Sequence, residues 1–232
     1  PRFGCANRAP KSKKGSFCYA KAMVIKMKIV FLHGLGQSGD SFSKTVSLLD
    51  IPGAVTDSPD IFSLKREGKD FDSLYKAVSD YLDAAPEKIN ICGLSLGAVI
   101  ALRYAAERPG KVVKLALIAP QYKPPRLLLK LQDLLFALMP EKNFAGIGLP
   151  KKDFRKLCST MADIDLTDEL SKLVCPTLLM VGENDRANRG AAEKLAGILP
   201  DANLKIIGNS GHEVNSDAPE ELAKLLSKFF KS

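Results

Sequence analysis

Apolar and polar positions along the chain change period repeatedly, and each change marks an element. Lys28 to Leu32 is a short β-branched and aromatic run that stops at His33 and Gly34, which predicts a strand. Phe71, Leu74, Tyr75, Val78, Tyr81 and Leu82 recur at helical spacing, and Pro86 closes that helix. Lys88 to Cys92 reads as a buried strand, followed by a helix from Leu96 to Glu107 that halts before Pro109. Val112 to Ile118 and Thr177 to Val181 are further apolar strands, the second introduced by Pro176. Gly190 to Leu199 predicts a helix and Asn203 to Ile207 a last strand. The closing helix carries Leu222, Leu225, Leu226, Phe229 and Phe230 on one face. Asp217 and Glu220 predict a capping box for it, with Pro219 in the first turn.

Apolar strands alternating with amphipathic helices define an α/β protein with a mostly parallel central sheet and helices on both faces. Ligands of such sheets bind beyond the carboxyl ends of the strands, so the residues just after each strand matter most. One segment, about 121–173, breaks the alternation. It holds the leucine-rich stretch Leu127 to Met139, a loop with Gly146, Gly148 and Pro150, and a second helical stretch. Apolar positions of Leu127 to Met139 cover too much of the helix circumference for a simple surface helix, which predicts a short helical lid. A pair of ordinary packing helices is the alternative.

Composition adds a boundary. The chain has 232 residues, 46% of them apolar and 26% charged, enough for one domain with a substantial core. Its net charge is +8, yet eight basic residues and no acidic one fall within the first 28 positions. The rest is formally neutral and lacks the field expected of a nucleic-acid binder. Residues 1–26 therefore read as a basic extension that adds nothing to function, although Phe17 to Ile25 could supply an edge strand. Residues 27–232 read as the domain. No apolar run approaches the roughly 20 residues that span a bilayer, so no membrane insertion is expected. Five cysteines without paired spacing, and no apolar stretch of the secretory type in the first segment, point to free thiols in a reducing cytoplasm.

The candidate chemistry lies after the strands. Gly93-Leu94-Ser95-Leu96-Gly97 stands between a strand and a helix, the setting of a nucleophile elbow. The sharp turn needs glycine on both sides and presents the Ser95 hydroxyl at the top of the sheet. The helix N-terminus beneath it offers the Leu96 N–H to a developing oxyanion. A hydroxyl needs a base, and the chain has only two histidines. His212, in Ser210-Gly211-His212, follows the last strand and is the candidate base. Asp185, in Gly182-Glu183-Asn184-Asp185, follows the preceding strand and is the candidate to orient it. Glu183, Asp163, Asp165 and Asp168 are the rival carboxylates. His33-Gly34-Leu35-Gly36 follows the first strand, and its glycines let the Leu35 N–H act as second oxyanion donor. Gly34 to Gly39 also fits a dinucleotide-binding glycine pattern, with Asp57 and Asp60 downstream, but that reading leaves Ser95, Asp185 and His212 unexplained. Two histidines and scattered cysteines provide no metal site.

These pieces, together with Phe42 and Asp217-Ala218-Pro219-Glu220, resemble the α/β-hydrolase superfamily across 27–232. The resemblance implies an α/β-hydrolase fold, the triad Ser95, Asp185 and His212, an oxyanion hole from Leu35 and Leu96, and no cofactor. It implies acyl transfer on a small-molecule substrate. Leu35, Leu94, Leu96 and the lid point to an apolar pocket for small or medium carboxylic esters. A thioesterase or lactonase would use the same residues. A carbon–carbon bond hydrolase would need cations such as Arg126 or Arg155, and a non-catalytic receptor could reuse the scaffold. Members of the superfamily often have two strands ahead of the first one here, where this chain has little room.

Overall fold

The computed structural model describes residues 27–144 and 149–232. The basic segment 1–26, including the edge strand expected near Phe17 to Ile25, lies outside the described residues. Six strands form one parallel sheet: β1 (Lys28–Leu32), β2 (Val55–Asp57), β3 (Ile89–Leu94), β4 (Val112–Ile118), β5 (Thr177–Gly182) and β6 (Ala202–Ile207). Their spatial order is β2-β1-β3-β4-β5-β6. One row runs across the sheet through Asp57, Val30, Ile91, Leu115, Thr177 and Ala202. The chain winds outward in one direction from β1 to β2 and in the other from β3 onward. The crevice between the carboxyl ends of β1 and β3 is thus the switch point at which such sheets bind ligands.

Alternation along each strand divides the core in two. Val30, Leu32, Ile91, Leu115, Leu117 and Leu179 face one side, against α2 (Phe71–Asp83), α3 (Leu96–Glu107) and Leu195 of α6 (Arg186–Ile198). Ile29, Phe31, Cys92, Leu94, Ile118 and Met180 face the other, against Phe42 and the last helix, α8 (Pro219–Lys231). Nearly every position of α3 is buried, as expected of a helix that is apolar all round. Helix α8 buries Leu222, Leu226 and Phe230 and directs its lysines outward.

Three expectations need correction. Strand β2 escaped the pattern because it is three residues long, with Val55 and Thr56 exposed at the sheet edge. Helix α6 starts at Arg186, not Gly190. The capping box at the last helix does not form: Ala218 is the N-cap, and Pro219 opens the helix. Asp217 instead accepts the Gly211 N–H at 2.7 Å, which ties it to the loop of His212.

Between β4 and β5 lie α4 (Arg126–Leu138), a 3-10 turn (Glu141–Phe144), α5 (Lys151–Met161) and a second 3-10 turn (Leu170–Lys172). Phe136, Phe144 and Phe154 meet edge to face, with centroids 5.1 to 6.1 Å apart. Arg155 grips Asp133 through two bonds of 2.9 Å, joining α5 to α4. Lys151 donates to the carbonyls of Ala137 and Met139 and closes the end of α4. Thr160 Oγ1 accepts the Phe71 N–H at 3.0 Å, anchoring α5 to the start of α2. Leu134 and Leu138 remain 59% and 78% exposed, so α4 keeps an outer apolar face. No helix among the described residues is long and apolar enough to cross a membrane.

Cys92, Cys158 and Cys175 are unpaired and buried. Burial pushes the Cys92 thiol well above its ordinary range, and raises Cys158 to about 12 and Cys175 to about 11. Thiolate is the reactive form, so these three should resist iodoacetamide at pH 8 in the native protein and react readily in urea. Peptide-level mass spectrometry checks this; rapid native alkylation of any of the three would contradict their placement.

Candidate active site

Ser95 occupies the turn between β3 and α3 with φ 53° and ψ −110°. That backbone costs a serine about 1–3 kcal/mol and persists only when its surroundings impose it. Here the Ser95 N–H is held by the Ile118 carbonyl at 2.9 Å, and the Ser95 carbonyl accepts from Val99 at 3.0 Å. Gly93 and Gly97 complete the constraint. A Cβ on Gly93 would run into the Gly97 carbonyl, and one on Gly97 into the carbonyls of Leu32 and His33. The turn is therefore pressed against the end of β1, and the N-terminus of α3 sits directly behind the hydroxyl.

The loop after β1 lies alongside. A Cβ on Gly34 would stand 3.6 Å from the Ser95 Cβ. Among the described residues, neither the Leu35 nor the Leu96 N–H donates a hydrogen bond within the protein. His33 is spent on structure: Nδ1 pairs with the Gly34 carbonyl at 2.9 Å, and Nε2 accepts the Ile61 N–H at 3.1 Å. Both bonds together fix the neutral tautomer with its proton on Nδ1. The glycine pattern of this loop leads into a 3-10 turn (Gly39–Phe42) and the one-turn helix α1 (Ser43–Ser47), not the long helix of a dinucleotide site. A Cβ on Gly39 would instead run into the backbone of Ser58 and Asp60, so this glycine serves loop packing.

His212 and Asp185 meet. His212 Nδ1 lies 2.8 Å from Asp185 Oδ2. The Asp185 side chain is 4% exposed and the His212 side chain 44%, so the carboxylate is enclosed while the ring reaches solvent. A Cβ on Gly182 would collide with the Ser210 and Gly211 carbonyls, which shows how closely the histidine loop passes over the end of β5. Ser95 stands at the same edge, two strands away. Both hydrogen-bonded contacts of the His212 ring run to Nδ1, and none reaches Ser95 among the described residues. In unliganded enzymes such bonds are often long and tighten when substrate arrives.

The rival carboxylates have other partners or face outward. Glu183 accepts the Asn209 N–H at 3.0 Å. The Lys123 ammonium, with Thr167, holds the Asp165 carboxyl down at about 2. Asp163 and Asp168 are exposed. Leu94 and Leu96 are buried in the two cores, which leaves only Leu35 of that trio half exposed. Arg155 is committed to Asp133.

Sequence reasoning missed four polar residues around the site. Asn188 donates from Nδ2 to both Asp185 oxygens at 2.9 Å, and Gln121 Nε2 donates to Asn188 Oδ1 at 2.8 Å. Gln37 and the buried Asn215 pair at 3.3 Å, and Asn215 also donates to the Ser41 carbonyl at 2.9 Å. They bind the loop after β1 to α7 (Val214–Asp217), just beyond His212. The signal for Asn188 was present: Asp185 is the N-cap of α6 and accepts the Asn188 N–H, so the two form a local capping pair.

The chain belongs to the alpha/beta hydrolase family, whose pattern it matches over residues 29–225. Among curated proteins, it is 31% identical to the pimeloyl-[acyl-carrier protein] methyl ester esterase of Vibrio parahaemolyticus, over 68% of this chain and 75% of that one. It is 24% identical to monoacylglycerol lipase abhd6-B of Xenopus laevis, over 89% of this chain and 76% of that one. Among solved structures, a hydrolase from Pseudomonas aeruginosa superposes with a TM-score of 0.77 at 16% identity, covering 90% of this chain and 91% of its own. MenH from S. aureus does so with a TM-score of 0.73 at 18% identity, covering 89% and 94%. These two likenesses carry the fold. The family match and the curated relatives support hydrolase activity, with an esterase and a lipase among the named kin.

Proposed function

We propose that the protein is a serine hydrolase that cleaves small or medium carboxylic esters through Ser95, His212 and Asp185. The observation that carries this reading is the strained Ser95 turn, kept at φ 53° on the sheet edge that also holds the 2.8 Å His212–Asp185 pair. A plain helix cap would have no reason to store that strain.

In the proposed reaction, Asp185 holds His212 with its proton on Nδ1, so Nε2 is bare and basic. Nε2 removes the Ser95 proton as Oγ attacks the ester carbonyl carbon. The carbonyl electron pair moves onto oxygen, where the Leu35 and Leu96 N–H groups receive it; each such donor contributes about 3 kcal/mol to the barrier reduction. The intermediate collapses to an acyl-enzyme as the alkoxide leaves and takes the proton from His212. Water, deprotonated by His212, then releases the acid and restores Ser95.

Of the curated relatives named above, one is a methyl ester esterase and the other a monoacylglycerol lipase, which supports the ester class. The engagement of Arg155 with Asp133 weakens a carbon–carbon bond hydrolase, because one of two candidate cations is already paired. The segment 121–173 serves in this reading as a short lid, and 27–232 as the catalytic unit. Buried, unpaired thiols support a reducing, cytoplasmic setting. Turnover of p-nitrophenyl esters from acetate to dodecanoate tests the proposal. Turnover should be highest for short and medium chains and fall at the long end. No turnover of any ester above the Ser95→Ala background would overturn it and favour a receptor on the same scaffold.

A further inference from the structure

Asn188 stands at a junction that the reaction above leaves without a role. Its Nδ2 lies 2.9 Å from both oxygens of Asp185 and 3.1 Å from Nδ1 of His212. The imidazole Nδ1 faces two groups and has room for one proton. If Nδ1 carries it, the ring donates to Asp185, and the Asn188 amide hydrogens go to the carboxylate. If Nδ1 is bare, it accepts from Asn188, and the proton sits on Nε2, where a base is needed. The first arrangement puts a charge-assisted bond between ring and carboxylate and is the stronger.

What holds the amide to the carboxylate comes from a different part of the chain. Gln121, at the head of the segment leading from β4 to α4, donates to Asn188 Oδ1 at 2.8 Å. An amide turned over would point its oxygen at the carboxylate and its NH2 at the Gln121 NH2, and lose both bonds. The Asn188 backbone N–H adds a third donor to Asp185, at a longer 3.3 Å. The enclosed carboxylate therefore accepts from Asn188 on both oxygens, which fixes the direction of the charge it presents to His212.

We infer that Asn188, oriented by Gln121, is a positioning residue that keeps Asp185 aimed at His212 and so keeps the imidazole proton on Nδ1. This rests on the triad proposed above. It also makes the root of the α4–α5 segment part of the acid's support, because Gln121 begins that segment.

The chain has two histidines, so 15N-histidine NMR resolves them directly. His33 is an internal reference, its two ring nitrogens being used by Gly34 and Ile61 away from Asn188. Wild-type His212 should show the Nδ1–H tautomer. In Asn188→Ala it should shift toward Nε2–H, with the His33 signals unchanged. On p-nitrophenyl butyrate, kcat should fall about 10- to 100-fold, the range of one hydrogen bond to a charged group, and KM by less than a factor of about 2. Gln121→Ala should move both readouts in the same direction by less, and it decides the question if Asn188→Ala perturbs His33 through misfolding. An unchanged His212 tautomer, or a larger Nδ1–H share and faster turnover in the variants, would overturn the inference and mark Asn188 as a competitor for the ring. If wild type proves inactive while Asn188→Ala still shifts the tautomer, the positioning role survives and the hydrolase reading fails.

Discussion

Ser95→Ala should lower ester kcat by a factor on the order of 10⁶, close to what loss of a serine nucleophile costs where the triad acts as a unit. The size follows from what the hydroxyl does. In the proposed reaction it supplies the atom that bonds to the acyl carbon, so its loss would remove the covalent route altogether. What remains in the proposed reaction is the pair of N–H groups at Leu35 and Leu96, which would still polarise a bound carbonyl. A residual acceleration of roughly 10³ to 10⁴ over water belongs to that remnant. The variant should melt close to the wild-type temperature, because alanine keeps the same strained backbone and Ser95 does not fill a core position. Steady-state kinetics and a melting curve on the same sample check both halves. Retention of more than a hundredth of the wild-type kcat would mean that another group attacks the ester.

Gly97→Ala should destabilise the fold strongly for a single added methyl. The added Cβ would meet the carbonyl groups of Leu32 and His33, which belong to the end of β1 and the loop beyond it. Backbone in a paired strand does not step aside as a flexible side chain does. Relief requires α3 to withdraw from the sheet, and α3 is buried along nearly its whole length. Overpacking of this kind costs roughly 3 kcal/mol or more, the upper end of its range. In a chain of this size that is a fall of roughly 6–12 °C in Tm. Gly197→Ala makes a clean control. Gly197 lies inside α6, with nothing near its would-be Cβ, so alanine there should stabilise by up to about 1 kcal/mol through helix propensity. Melts of the two variants by circular dichroism compare them directly. A Gly97→Ala variant that melts within a degree or two of wild type would show that the β1–α3 approach is looser than described.

Much of the fold was legible in the sequence because it is written in the hydrophobic pattern. β1, β3, β4 and β5 are apolar runs buried on both faces over most of their length, and such runs announce themselves between glycines and prolines, while the edge strand β6 keeps enough apolar positions to be read although half of it is exposed. β2 did not, since an exposed three-residue edge strand has neither length nor periodicity. Ser95 was legible for a steric reason, as only glycine on both sides permits the turn. The supporting amides were not. Gln121, Gln37 and Asn215 act across distances that local patterns do not encode, and Asn188, although local to Asp185 in the cap of α6, was hidden because the hydrophobic pattern starts that helix late, at Gly190. Asp217 shows the opposite error: its spacing from Glu220 fits a capping box, yet the Gly211 N–H is the donor that it meets. A local motif lost to a tertiary contact, and that contact helps to set the loop of His212.

If the hydroxyl at position 95 is an activated nucleophile, a fluorophosphonate reports on it without knowledge of the natural substrate. Intact-mass analysis of the wild-type protein should show one phosphonyl group added, and peptide mapping should place it on Ser95. Both Ser95→Ala and His212→Ala should stay unmodified over the same interval. An unlabelled wild type, a label on a different residue, or a labelled Ser95→Ala variant would contradict the account.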